Sequence, residues 1–165
     1  MRGLIQVLQP LCRLMSIVSI ILLGLLAFPI AYDATMRAFG KPTIWVFETT
    51  LYLFIAGGFL ANTLAMSSGA HFRVMILAQA FPSLKPALDW LALILTLLFS
   101  ILLIGTGSYF VWYSWSNDIL SASLLEVPLW IPQLAIPIGG VGLFLQTLIH
   151  ICEGKMPEGK EAIME

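Results

Sequence analysis

Four long stretches of the chain are so apolar that water cannot be their solvent, and this restricts the fold more than any motif does. They run over about 14–34, 44–66, 87–115 and 128–151. A helix needs roughly 20 residues, at ~1.5 Å each, to cross a hydrocarbon core of about 30 Å. Inside lipid every backbone N–H and C=O must find a partner within its own segment, so such runs are read as helices. With 165 residues, 59% hydrophobic and 10% charged, the chain is expected to be all-α: an integral membrane protein of four transmembrane helices, one domain over residues 1–165. No length is left for a separate soluble catalytic domain, and neither a cofactor nor a catalytic, substrate-binding or metal site is assigned. The formal net charge of −1 provides none of the clustered Lys and Arg that a nucleic-acid partner requires.

The connectors divide these runs. Arg2 and Arg13 precede the first, as in a signal peptide, but Pro29, Tyr32 and Asp33 follow it where a small-x-small cleavage site would stand. An uncleaved anchor is expected. Arg37, Gly40, Lys41 and Pro42 make a turn to the second run, giving an antiparallel hairpin. Residues 67–86 hold a short apolar stretch, 74–81, that is too short to cross and is expected to lie along the interface as a short helix. The third run would be about 43 Å long as a helix and should tilt or protrude. Pro132, Pro137, Gly139, Gly140 and Gly142 predict a kink in the fourth, and the tail 153–165 is polar.

Lys and Arg concentrate on cytoplasmic loops. Alternating crossings put Arg2, Arg13, Arg73, Lys85, Lys155 and Lys160 on one side and Arg37 and Lys41 on the other, so both termini are expected in the cytoplasm. Tyr32, Trp45, Trp112, Tyr113, Trp115 and Trp130 then gather at the outer interface.

An ionisable group deep in lipid is expensive and marks a transport pathway by default. Asp33 and Asp89 fall at helix ends, and Glu48 lies about one turn into the second helix, where pairing with Arg37 or Lys41 across the hairpin is expected over an ion site. His71 sits in a connector and His150 ends a helix, which does not suit haem ligation between helices. Cys12 and Cys152, near opposite ends of the chain, form no CxxC pair or zinc set. Gly57, Ala61 and Ala65 repeat every four residues on the second helix, as do Ala135 and Gly139 on the fourth, a spacing for close helix packing. That spacing leaves open whether the partner helix belongs to this chain. The remaining surface is Leu, Ile, Val and Phe without a polar stripe, suited to membrane lipids or an apolar subunit contact, and the chain reads as an interaction subunit.

The order Arg37, Trp45, Glu48, then Gly69, His71, Val74, then Pro128, Trp130, Pro137, Gly139 resembles the DctQ family, the small permease subunit of tripartite ATP-independent periplasmic (TRAP) transporters, over nearly the whole chain. The resemblance implies a bacterial inner-membrane complex with a large polytopic (DctM-like) permease, fed by a periplasmic solute-binding protein and taking up organic acids, usually with sodium. Sodium and substrate sites would belong to the large subunit and this chain would be a scaffold. Trp45 and Glu48 would fix the outer end of the hairpin, His71 and Val74 the inner connector, and Pro128, Trp130 and Pro137 the fourth helix. Relatives carry charges near the equivalents of His71 and Val74, where this chain has Ser67, Ser68, Ala70 and Met75. The alternative is a small self-assembling exporter or channel.

Overall fold

The computed structural model describes residues 2–68 and 85–153. Gly69, His71, Val74 and the expected interfacial helix over 74–81 lie outside the described residues, as does most of the polar tail. The described residues are helical throughout, apart from turns, a loop and a single bridge between Leu120 and Pro128.

The helices are α1 (Arg2–Leu25), α2 (Ala27–Ala38), α3 (Trp45–Ser67), α4 (Lys85–Ser116), α5 (Trp130–Gln133) and α6 (Ala135–Glu153). Among the described residues four segments are long and apolar enough to cross a membrane: Val7–Ala38, Trp45–Ser67, Pro86–Ser116 and Trp130–Cys152. The first outruns the expected 14–34 at both ends. Helix formation is cooperative, so helical structure runs through Pro10 and Arg13 in α1 and, past the break at Leu26, through Asp33 and Arg37 in α2 until a conformational stop appears. That stop is Gly40, at φ +70°. The N–H of Gly40 bonds the Arg37 carbonyl at 3.0 Å and that of Lys41 the Met36 carbonyl at 2.9 Å, the two bonds of a Schellman cap, which needs a left-handed residue.

Prolines place both breaks. Pro29 has no N–H to give the Leu25 carbonyl and crowds it, and the first span parts at Leu26. Pro137 does the same to Gln133, and the last span parts at Leu134 between α5 and α6, the expected kink.

α6 is the centre of the bundle, touching α1, α3 and α4, while α1 also packs along α3. α4 lies chiefly against α6 and α5. Its buried residues, Leu93, Thr96, Ser100, Leu103, Gly107 and Ser114, follow alternating steps of three and four, with one seven-residue step at the end. That is a single narrow seam of the kind that left-handed helix pairs use.

The small residues lie where helices cross within this chain. A Cβ on Gly139 would stand 2.5 Å from the Phe59 carbonyl oxygen, one on Gly107 2.8 Å from Pro137 Cδ, and one on Gly57 2.8 Å from Leu23 Cδ2. Ala135 is buried and Ala61 half-buried. Around these crossings the interior is weakly polar: Ser16, Ser19, Thr63, Thr96, Ser100, Gln146, Thr147 and His150 are buried, while many Leu, Ile, Phe and Trp side chains are exposed. Lipid rewards the reverse of a soluble core, because apolar tails solvate Leu and Phe as well as protein does. The hydroxyls of Ser16, Ser19, Thr96, Ser100 and Thr147 bond carbonyls three or four residues back on their own helices, at 2.7 to 2.9 Å, so their burial leaves no donor unpaired.

Candidate functional site

Two carboxylates that tie separate segments together, Asp33 and Glu48, lie at the bundle end that holds the α2–α3 turn and the loop 117–129. Glu48, in the first turn of α3, is only 5% exposed. It is not paired with Arg37 or Lys41. Its carboxylate accepts hydrogen bonds from the hydroxyls of Tyr52, one turn on, and of Ser123 in the loop 117–129. The reason is helical phase: successive residues turn by about 100°. Val46 and Thr50 face α2 across a groove that Arg37 also lines, so Glu48, two residues from each, projects from the far side of α3.

Arg37 pairs within its own helix instead. Its Nε donates to Asp33 Oδ2 at 2.5 Å, and the other carboxylate oxygen of Asp33 accepts from the backbone N–H of Thr43 at 3.2 Å and from the Thr43 hydroxyl. Asp33 therefore holds the end of α2 to the segment that enters α3. Trp45 stacks at a tilt on Tyr32, with ring centroids 5.9 Å apart, across the same corner.

Glu48 fixes a built loop. Ser123 Oγ donates a hydrogen bond to Glu48 and accepts one from the Leu125 N–H at 3.1 Å, with Ser121 Oγ 3.0 Å away. Main-chain bonds from Ser121 to Val127 at 2.9 Å and from Leu129 to Ile119 at 3.0 Å close it. Asp118 and Glu126 both take positive φ, 48° and 47°, a conformation costing a non-glycine residue about 1 kcal/mol or more, kept only where surroundings enforce it. Pro128 forms the bridge to Leu120, and Trp130 meets Trp115 edge-on at 4.8 Å, so the loop returns directly above α4.

At the opposite end, His150 ties α6 to α3. Its Nε2 lies 3.2 Å from the Met66 carbonyl and 3.3 Å from Gln146 Nε2. A carbonyl only accepts, so the histidine donates to it. That carbonyl belongs to the last turn of α3, where intrahelical donors run out.

The structure thus gathers Arg37, Trp45, Glu48, Pro128 and Trp130 at one end of the bundle and places Gly57, Gly139 and Pro137 in its interior. Sequence reasoning missed Asp33, Thr43, Tyr52, Ser121 and Ser123 as partners. Two had a signal: Asp33 stands four residues before Arg37, and Tyr52 four after Glu48, a spacing that puts side chains on one helix face. Ser123 had none, since its meeting with Glu48 spans 75 positions. Chemically the arrangement is a pair of latches, each built on a carboxylate whose oxygens accept hydroxyl, amide or guanidinium donors.

A family model described as tripartite ATP-independent periplasmic transporters, DctQ component, matches residues 26–154. The match begins at the break between α1 and α2 and covers more than half of the chain. No curated protein matches it.

Proposed function

This chain belongs to the DctQ family of tripartite ATP-independent periplasmic transporter components, and from that membership we propose that it is the non-catalytic scaffold on which the large permease subunit rests. In this reading the complex sits in the bacterial inner membrane, with both termini cytoplasmic and the Glu48 and Asp33 latches at the periplasmic face. The large subunit carries the substrate and the coupling sodium, and a periplasmic binding protein delivers an organic acid. The small chain holds the stationary part of its partner while the transport part moves.

One observation carries this reading: the direction in which the polar groups point. The buried hydroxyls of Ser16, Ser19, Thr96, Ser100 and Thr147 are turned onto their own helices' carbonyls, and the outer surface presents apolar side chains along every long helix. Such a molecule meets its surroundings through packing, whereas a carrier builds its site from polar or unwound backbone near mid-membrane. Both latches stiffen the frame, as a scaffold requires.

The test is mild-detergent purification of the tagged chain from its native membrane, with uptake assays on the chain alone and on the complex. A polytopic partner at about one-to-one ratio, and uptake only by the complex with binding protein present, is the expected result. Uptake by the chain alone would overturn the proposal.

A further inference from the structure

The break at Leu26 opens a gap on the outside of the bundle. Before it, α1 packs closely along α3, with Leu23 against Gly57. Beyond it, α2 leans away and meets α3 more sparsely. Between α2 and α3 lies a groove of about 270 Å³, walled by Ile30 and Ala34 on one side and Val46 and Phe47 on the other, with Asp33 and Arg37 at its lip. Ile30, Ala34 and Phe47 are exposed, so the groove opens laterally where a bilayer would stand.

Its lip is formed by the Asp33–Arg37 ion pair. Asp33 is engaged by Arg37 Nε and by Thr43. Among the described residues the terminal guanidinium nitrogens of Arg37 have no protein partner, the side chain is 61% exposed, and Lys41 stands exposed four residues on. Glu48, the nearest other carboxylate in sequence, projects from the far side of α3 into the loop 117–129. The Tyr32–Trp45 pair beside the lip marks the depth of lipid headgroups, where such rings collect.

We propose that this groove is a phospholipid-binding site, with one acyl chain between the apolar walls and the phosphate on the terminal guanidinium nitrogens of Arg37. The groove opens along its side, so where a bilayer stands its apolar walls face lipid tails. Lipid tails are the apolar solute a membrane offers, and the outward guanidinium edge of Arg37, with exposed Lys41 four residues on, offers donors that suit a phosphate and not a neutral headgroup.

Native mass spectrometry of the full chain, purified in mild detergent with any subunit that accompanies it, tests this with added phosphatidylglycerol, diacylglycerol or glycerol 3-phosphate. One phosphatidylglycerol should bind more tightly than diacylglycerol, and glycerol 3-phosphate should not displace it. Lys41→Gln should weaken that binding roughly fivefold, the worth of one basic residue at a lipid surface. Ala34→Trp should abolish it by filling the groove from an exposed position, with helicity by circular dichroism unchanged. Equal binding to Ala34→Trp and the parent, or to diacylglycerol and phosphatidylglycerol, would overturn the site. Displacement by glycerol 3-phosphate would overturn it in favour of a free-phosphate site. Loss of an accompanying subunit in Ala34→Trp, with lipid binding intact, would overturn it in favour of a partner's helix.

Discussion

α4 and α6 are built from similar residues, yet they occupy opposite positions in the bundle. In their most apolar windows 50% of the last span is buried by protein against 17% of the α4 span. α6 buries a broad face, with Gly139, Gly140, Gly142, Leu143, Gln146, Thr147, Ile149 and His150 all inside. α4 buries one line of residues and turns Leu91, Ile94, Leu95, Leu98, Leu102, Tyr109 and Trp112 outward. Over their full lengths the two helices are about equally hydrophobic. What separates them is how many small residues meet a neighbour: Gly139, Gly140 and Gly142 all do on α6, while on α4 Gly107 does and Gly105 does not, and close approach of backbones is what holds helices together when lipid is as apolar as Leu.

The largest expected effect comes from making one substitution on both helices. Gly139→Leu drives a side chain into the Phe59 backbone and should cost more than about 3 kcal/mol, the upper range of overpacking, since backbone cannot swing aside. At Gly105 on α4 a Cβ would meet nothing within 4 Å, so Gly105→Leu should leave the unfolding midpoint in an SDS titration where it was. Similar losses at both sites would remove the distinction between centre and periphery.

Next in size is a cavity. Leu143 is fully buried and Leu98 is 57% exposed. Leu143→Ala should lose about 2 to 3 kcal/mol, near the low end for such truncations because the transfer contribution is muted in lipid. Leu98→Ala should stay within about 0.5 kcal/mol in the isolated chain. If Leu98→Ala instead reduces recovery of the large subunit, α4's outer face is the docking side and the comparison becomes sharper.

A smaller effect is expected at His150, whose removal strips the Met66 carbonyl of a donor. His150→Ala should cost about 1 to 2 kcal/mol by the same titration. An unchanged midpoint would show that α6 owes its central place to packing alone. The smallest change is expected in the loop that joins the two helices. Ser123→Ala takes an acceptor from the Leu125 N–H and a donor from Glu48, worth about 1 kcal/mol. Its signature should be local: faster amide exchange over 117–129 with exchange in α6 unaltered. Faster exchange in α6 as well would show that the loop helps to seat that helix.

Much of this fold was legible because lipid imposes a length and a polarity that sequence displays directly. The second, third and fourth helices lie within about two residues of the apolar runs. The prolines announced the kink at Leu134, and Gly40 the sharp end of α2. The first helix was underestimated at both ends, since apolar content ends before helical content does: Asp33 and Arg37 are polar, but they neutralise each other one turn apart and remain helical. The candidate site was less legible. Glu48 was singled out, but its expected partners were chosen by nearness in the chain, when the phase of α3 turns it toward a loop 75 positions away.

By itself the sequence determined the number of long apolar spans, their helical form, the break in the last of them and the family, because each follows from local chemistry: apolar length, proline, glycine and the order of a few residues. Only the tertiary structure decided which helix is central, which glycines receive a neighbour's backbone, and which donors each carboxylate accepts. Those outcomes depend on how helices rotate about their own axes against one another, and rotation is set by the sum of many contacts across the bundle, which no one stretch of sequence contains.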